Sequence, residues 1–422
     1  MSSDSSDNSD SDIESSSNNE ESLSSDEDME HTNNLQLTGE ILKDYNIICE
    51  LGRGSYSIVW LAFNIVDNKF YALKVQDPKE YKAGVDEIKF VQKLPKQPAV
   101  FNNIIDSFVE IRGTSKNNIK YLCSVWNLHC GNIDNIIRKS NYTNGLPLHL
   151  VKRIMKQLIT AVEILHKRFK VFHGDIKTDN ILIKGLNAKD EFIINNYMKE
   201  QFFEKYSSAK DNYISKKGVI EMKEKLMIRA IVHKKITNTV LELYEKSGVS
   251  KYTIDSKYID NIEISLADFG THCSEENHYD SAFGTRYYMA PEIILMGRCS
   301  YPVDIWAIGC TFYELLTGEL LFDPIKDSKH SRDYYHLQLI ADTCGEFSHS
   351  CIKKTKYMKQ YFDANYKLIG YKCPEQNRLD RKLNEKIKDT DQIKNFILGM
   401  LQPETSKRYT IEQLAKHSFM LM

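Results

Sequence analysis

The sequence has no CxxC pair, no Lys or Arg in its first 42 positions, no apolar run fit to cross a membrane and no internal repeat. Each absence removes a class of protein. Nine cysteines (Cys49, Cys123, Cys130, Cys273, Cys299, Cys310, Cys344, Cys351, Cys373) stand at irregular intervals. An odd number without paired spacing argues against a disulfide framework or a structural zinc site. They read as reduced core thiols of an intracellular protein. No basic segment followed by an apolar one opens the chain, so no signal peptide is expected. The most apolar long stretch, Val303 to Phe322, carries Asp304, Glu314 and Glu319, which excludes a membrane span. A soluble protein with no membrane partner is expected.

What is present is unevenly charged. The first 42 residues hold 12 Asp or Glu, leaving 56 basic against 46 acidic residues in the remainder, a net of +10. That excess is modest, and a solvated surface explains it more cheaply than a nucleic-acid site. Nucleic acid is therefore not an expected partner. Oligomeric state leaves no mark in the sequence, and a monomer is assumed. Residues 1–40 are Ser, Asp, Glu and Asn with almost nothing apolar, so they are expected to be disordered.

From Tyr45 the pattern changes. Runs of Ile, Val and Tyr broken by Gly or Asn-Lys turns read as several strands up to about Trp126. After Asn132 helical periods take over, as in His149 to Phe169, where Leu150, Ile154, Leu158, Ala161, Val162 and Leu165 share a face. The fold class expected is α+β, a strand-rich lobe followed by a helical one. Residues 185–261 interrupt this pattern with a polar, Lys- and Asn-rich stretch. It reads as an inserted surface excursion without its own core, with an amphipathic helix or two over 219–246. A small docking element is the alternative.

Four segments carry chemistry. Leu51-Gly52-Arg53-Gly54-Ser55-Tyr56-Ser57-Ile58-Val59 lies between two strands. Its glycines let the backbone approach phosphate oxygens, although a plain hairpin turn would look similar. Lys74 sits inside the apolar strand Tyr71-Ala72-Leu73-Lys74-Val75 and needs an anionic partner if buried. Glu87, 13 residues on in a helix-compatible stretch, is the chosen partner; an edge strand with Lys74 in water is the plainer reading. Val171 to Leu182 packs Asp175, Lys177 and Asn180 into six residues between apolar strands. Asp175 can orient a hydroxyl proton, Lys177 can neutralise a phosphoryl group and Asn180 can hold magnesium. Downstream, Asp268 of Ala267-Asp268-Phe269-Gly270 offers a carboxylate suited to bridging magnesium and phosphates.

Taken in order, with Ala290-Pro291-Glu292 following, these segments resemble the protein kinases over residues 45–421. The resemblance extends to Gly284-Thr285-Arg286-Tyr287-Tyr288-Met289, to Asp304-Ile305-Trp306, and to Arg408, which should pair with Glu292. It implies a bilobal fold with ATP and Mg²⁺ in the cleft and Ser/Thr hydroxyls of protein substrates as acceptors. Leu51, Val59 and Ala72 would cover the adenine and Leu182 underlie it. Leu128 would lie between the lobes, with Trp126 guarding the back of the pocket. Asp304 should accept backbone N–H groups of the His173 turn. Closer still are the SR-protein kinases, which also place Ser at the third glycine position (Ser57) and have an insertion before Asp-Phe-Gly. That likeness implies Arg/Ser-rich substrates held by Glu319 and Asp342, with Tyr335 replacing a third carboxylate. Gly174 stands where an arginine usually precedes the catalytic Asp, which leaves a non-catalytic pseudokinase scaffold as the alternative.

Overall fold

Apolar runs broken by short turns build the strand-rich lobe. In the computed structural model, β1 (Ile41–Leu42), β2 (Tyr45–Arg53), β3 (Ser57–Asn64), β4 (Lys69–Gln76), β5 (Ile104–Thr114) and β6 (Asn117–Trp126) form one antiparallel sheet, ordered β1-β2-β3-β4-β6-β5. The structure describes residues 35–54, 56–114, 117–139, 142–199, 226–227, 229–230, 254, 256–274, 282–327, 329–386 and 391–421. Asn64 closes the β3–β4 turn, its Oδ1 accepting the N–H of Val66 at 2.8 Å and of Asp67 at 3.1 Å. Asn68 follows with φ 61°, a conformation Asn tolerates. The resulting register sets Lys74 between Val59 and Ser124 in an interior strand, so the edge-strand reading does not hold.

Helix α1 (Tyr81–Val91) turns Glu87, Ile88, Phe90 and Val91 inward. It approaches the sheet closely at Gly84, where a Cβ would stand 2.8 Å from Leu122 Cδ2. Past β7 (His129–Asn132) the chain becomes helical: α2 (Ile133–Lys139) and α3 (Leu148–Ile164), the latter running into a wider turn, Leu165–Phe169. β8 (Val171–Phe172), β9 (Ile181–Lys184), β10 (Ile264–Leu266) and β11 (Cys273–Ser274) form two small antiparallel sheets, β10-β9-β7 and β11-β8. Between β9 and β10 lies α4 (Ala188–Lys199); after β11 come α5 (Pro302–Thr317), α6 (Arg332–Cys344), α7 (Arg378–Lys386) and α8 (Asp391–Met400). Every residue of α5 from Val303 to Thr317 is buried, as expected of a helix apolar on all sides at the centre of a lobe. Among the described residues no helix is long and apolar enough to cross a membrane.

The beginning of the polar stretch is not a free excursion. Ile193 and Tyr197 of α4 are buried against Ile48, Leu61 and Phe63 of the sheet. The Tyr197 hydroxyl accepts from the buried Asn46 Nδ2 at 2.8 Å, and its ring lies 5.3 Å from Phe63 and 5.6 Å from Phe70. At the helix start, Asn187 Oδ1 accepts the Asp190 N–H at 2.8 Å, while its Nδ2 donates to Asp190 (2.6 Å) and to the Cys130 carbonyl (3.2 Å). The helix expected over 219–246 lies outside the described residues except for Leu226, Met227, Arg229 and Ala230, which are helical. The disorder expected for residues 1–40 falls, up to 34, outside the described residues. By Leu37 the chain is buried, and the Gly39 N–H donates to the Ile47 carbonyl at 2.7 Å.

Removing the Tyr197 hydroxyl should cost the fold about 1 kcal/mol, the net worth of one buried hydrogen bond. Tyr197→Ala should cost about 3–5 kcal/mol, because it leaves a cavity against the sheet. Urea unfolding of the two variants measures this. An alanine variant as stable as wild type would show that α4 does not hold the sheet.

Candidate active site

β4 presents Lys74 toward α1, and its Nζ lies 2.9 Å from Glu87 Oε2. Burial alone pushes the lysine pKa down, but the carboxylates of Glu87 and Asp268 outweigh it and leave the pKa above its ordinary value. The ammonium is therefore charged at any physiological pH. Glu87 Oε1 accepts the Phe269 N–H at 3.2 Å, so one side chain joins α1 to both the lysine and the Asp-Phe-Gly segment. Phe269 is buried among Phe90, Phe101 and His173, with ring centroids 5.6, 6.1 and 5.1 Å away.

The β8–β9 connection carries the other charged groups. Asp304 Oδ2 accepts the His173 N–H at 2.8 Å and Oδ1 the Gly174 N–H at 2.9 Å, the contact the sequence anticipated. His166 Nε2 donates to the same carboxylate at 2.8 Å. Asp175 follows directly. Its Oδ1 accepts the Thr285 N–H at 2.7 Å, and its Oδ2 lies 2.8 Å from Lys177 Nζ. Lys177 also donates to Thr285 Oγ1 at 2.6 Å, and Asn180 Nδ2 donates to the Asp175 carbonyl at 2.8 Å. Burial would raise the Asp175 pKa, but the Lys177 charge, its hydrogen bond and the Thr285 N–H outweigh that and hold it below 3.8. A depressed carboxylate stabilises the fold above pH 3.8 and loses that contribution only as pH falls through its lower folded value. It is ionised at neutral pH.

Most of the remaining anticipated residues lie on β2, β3, β4 and β9 and on the connector before β7. Leu51, Ile58, Val59, Ala72, Leu128 and Leu182 are buried or half-buried. Arg53 pairs with Glu50 at 2.7 Å, and the Gly54 N–H donates to Ser57 O at 2.9 Å. Tyr56 is exposed, and Ser55 lies outside the described residues. Beside Leu128, burial pushes the His129 pKa down to about 4, so the connector between the lobes carries no charge there. Asp268 is exposed at φ 62°, a left-handed conformation uncommon outside glycine. Trp126 is buried, its Nε1 donating to Ser124 Oγ at 2.9 Å.

Comparison with known proteins decides the family. The protein kinase domain matches residues 45–195 and 253–420. The chain belongs to the protein kinases. Its relatives are named as serine/threonine kinases, and the residues between 195 and 253 fall outside the family match. Serine/threonine-protein kinase SRPK of Physarum polycephalum is 29% identical over 402 residues, 90% of this chain and 87% of that one. SRSF protein kinase 3 of Homo sapiens is 22% identical over 493 residues, 89% and 86% of the two chains. A kinase of Acanthamoeba polyphaga mimivirus is 27% identical over 484 residues, 90% and 88% of the two. This chain is a serine/threonine protein kinase, similar to the SR-protein kinases. Protein kinases use ATP with magnesium and act on proteins.

Two features of this kinase escape its motifs. Thr285 bridges Asp175 and Lys177; the signal was the Gly284-Thr285 step, which by itself names no contact. Gly174 does more than lack a cation. Its φ is +83°, and a Cβ there would stand 2.8 Å from the Thr271 carbonyl and 3.3 Å from the Phe283 ring. Phe283 is buried, 6.0 Å from Phe172 between centroids, so an aromatic ring holds the segment before Gly284. Among the loop hydroxyls before Gly284, Thr271 Oγ1 already donates to the His173 carbonyl at 2.9 Å. Ser274 is paired in β11, and Ser281 lies outside the described residues.

Activity should therefore not depend on loop phosphorylation: phosphatase-treated protein should keep its rate. Gly174→Arg should be less stable by at least the ~1–2 kcal/mol a side chain pays at positive φ, and its rate should not rise on phosphorylation. A large fall after phosphatase, reversed by rephosphorylation of the loop, would refute this.

Proposed function

We propose that this cleft transfers the γ-phosphoryl group of ATP to serine or threonine hydroxyls in Arg-rich protein segments, with Asp175, Lys177, Asn180 and Asp268 at the reacting centre. The folded body runs from Leu37 to 421, with the acidic residues before it as a solvating tail and 185–261 as an insertion. The observation that supports this most is what the oxygens of Asn180 and Asp268 are doing. Asn180 spends its Nδ2 on Asp175, while its Oδ1 has no partner among the described residues. The exposed carboxylate of Asp268 accepts no hydrogen bond from them either. Two oxygen donors left open beside a charged lysine suit Mg²⁺, which takes one or two protein oxygens plus phosphates. Bound there, the ion would neutralise phosphate charge.

The protein residues then position and hold charge. Lys74, fixed by Glu87, aligns phosphate oxygens, and the bare backbone of Gly52 leaves room above them, since a Cβ there would meet nothing within 4 Å. The strand pair Leu51–Val59, with Arg53, Gly54, Ser55, Tyr56, Ser57 and Ile58, covers the nucleotide. Ala72, Leu128 and Leu182 enclose the adenine. Asp175 Oδ2 orients the incoming hydroxyl and takes its proton as the oxygen bonds to phosphorus and the bond to the ADP oxygen breaks. Lys177 offsets charge on the transferred group.

The Arg-rich preference rests on Glu319 and Asp342. Glu319 lies 2.9 Å from Lys382, and Asp342, whose pKa is raised by burial, has Arg378 and Arg381 near it. A substrate arginine must displace Lys382 from Glu319 and compete at Asp342 with the field of Arg378 and Arg381. An exposed lysine pair is worth only ~0.2–1 kcal/mol, and a bidentate guanidinium holds a carboxylate better. The exchange is favourable and salt-sensitive.

Asp175→Ala should lower the rate ~10²–10⁴-fold with nucleotide binding kept, and Lys74→Met should also inactivate. An alanine enzyme at half the wild-type rate would overturn the assignment. Arg-Ser repeat peptides should exceed acidic and proline-directed ones in kcat/KM, and Glu319→Lys with Asp342→Lys should abolish the difference. If the double reversal leaves the preference unchanged, these carboxylates do not bind substrate.

A further inference from the structure

Phe269 is held on both of its backbone groups. Its N–H donates to Glu87 Oε1 at 3.2 Å, and its carbonyl lies 2.6 Å from His272 Nδ1. A carbonyl can only accept, so Nδ1 carries the proton. The same imidazole stacks on Phe90, centroids 3.9 Å apart and planes 21° from parallel. Phe90 stands three residues after Glu87 on α1, its ring 5.6 Å from that of Phe269. Helix α1 thus grips Phe269 twice, through Glu87 directly and through Phe90 by way of His272. The residue before Phe269 is Asp268, in a left-handed backbone that persists only where neighbours impose it.

We propose that His272 is a positioning residue for phosphoryl transfer, a latch that fixes the Asp268 carboxylate to the seat of α1. The inference rests on the role given above to Asp268; His272 itself touches no reacting atom. Its link makes the metal-holding carboxylate and the Lys74–Glu87 pair move as one, because displacing α1 removes the surface on which the imidazole lies. Burial first, then the nearby His173, hold the His272 pKa below 6.5, against the pull of the Phe269 carbonyl, Glu87 and Asp86. The ring is therefore mostly neutral at pH 7, with its one proton on the nitrogen facing the carbonyl. The plainer alternative is that His272 only fills space between Phe90 and the backbone.

Two substitutions in the full chain separate these. His272→Phe keeps the stacked ring and loses the donor; His272→Asn keeps a donor near Nδ1 and loses the ring. The latch requires His272→Phe to lower kcat about tenfold, equivalent to about 1.4 kcal/mol, with the peptide KM unchanged. His272→Asn, which breaks the stack on Phe90, should lower kcat by a similar factor. Hydrogen exchange, which needs no turnover, should quicken in His272→Phe over 264–274 and 81–91 together, with the thermal midpoint little changed. Wild-type kcat and exchange in His272→Phe would overturn the proposal. So would a lowered midpoint with faster exchange throughout the helical lobe, which would make His272 a packing residue. If wild-type protein transfers no phosphoryl group, the kinase reading fails instead, and exchange still tests the latch.

Discussion

A carboxylate with no exposed surface sits inside the most apolar helix of this protein. Burying an ion costs several kcal/mol unless its lone pairs are filled, and Asp304 fills them with the N–H groups of His173 and Gly174 and the Nε2–H of His166. Only one shape of the 173–174 turn offers both backbone donors, so the charge selects that shape. The consequences run upward. Asp175 is the next residue, and its carboxylate can then take the Thr285 N–H. The His173 ring, fixed by the same turn, donates to the Ala267 carbonyl at 3.1 Å and packs on Phe269. Phe269 reaches Glu87, and Glu87 reaches Lys74. One buried charge in the helical lobe thereby sets the position of a lysine in the sheet.

The same economy governs the segment between Asp-Phe-Gly and Ala-Pro-Glu. Where an arginine would leave a charge waiting for a phosphate, Gly174 leaves no side chain, and the aromatic ring of Phe283 occupies the space. An apolar contact needs no modification to form. Farther along, a second buried ion pair secures the end of this segment. Arg408 meets Glu292 at 2.7 and 3.0 Å, with its guanidinium 5.0 Å over the Trp306 ring. A pair so enclosed adds less to stability than to uniqueness, since either partner alone would be an uncompensated charge.

Much of this was legible in the sequence because the chemistry lies in short contiguous motifs. Asp175, Lys177 and Asn180 fall within six residues, and Lys74 and Glu87 are linked by one strand and one helix of regular period. The two-lobe division followed from the change of period near Asn132. Tyr197 could not be read in this way. Its partner Asn46 is 151 residues away, and α4 carries only a weak apolar stripe, so nothing local announces that it lies against the sheet. His272 is a lone imidazole outside any motif, and its meaning comes from Phe90, which only the folded chain brings within stacking distance. Gly174 was legible as a missing cation. That no side chain could fit there required the positions of the Thr271 carbonyl and Phe283.

Helix α4 also changes the mechanics of the cleft. In a two-lobed enzyme joined by one strand, the upper lobe can swing and also twist about that strand. Here a further attachment runs beside the first: α4 starts against the connector at Cys130 and ends at Tyr197, on the side of the sheet that carries Val59, Ala72 and Lys74. Torsion of one lobe on the other would have to pull Ile193 and Tyr197 from their pocket. Opening of the cleft for nucleotide then works against this contact as well as against the connector.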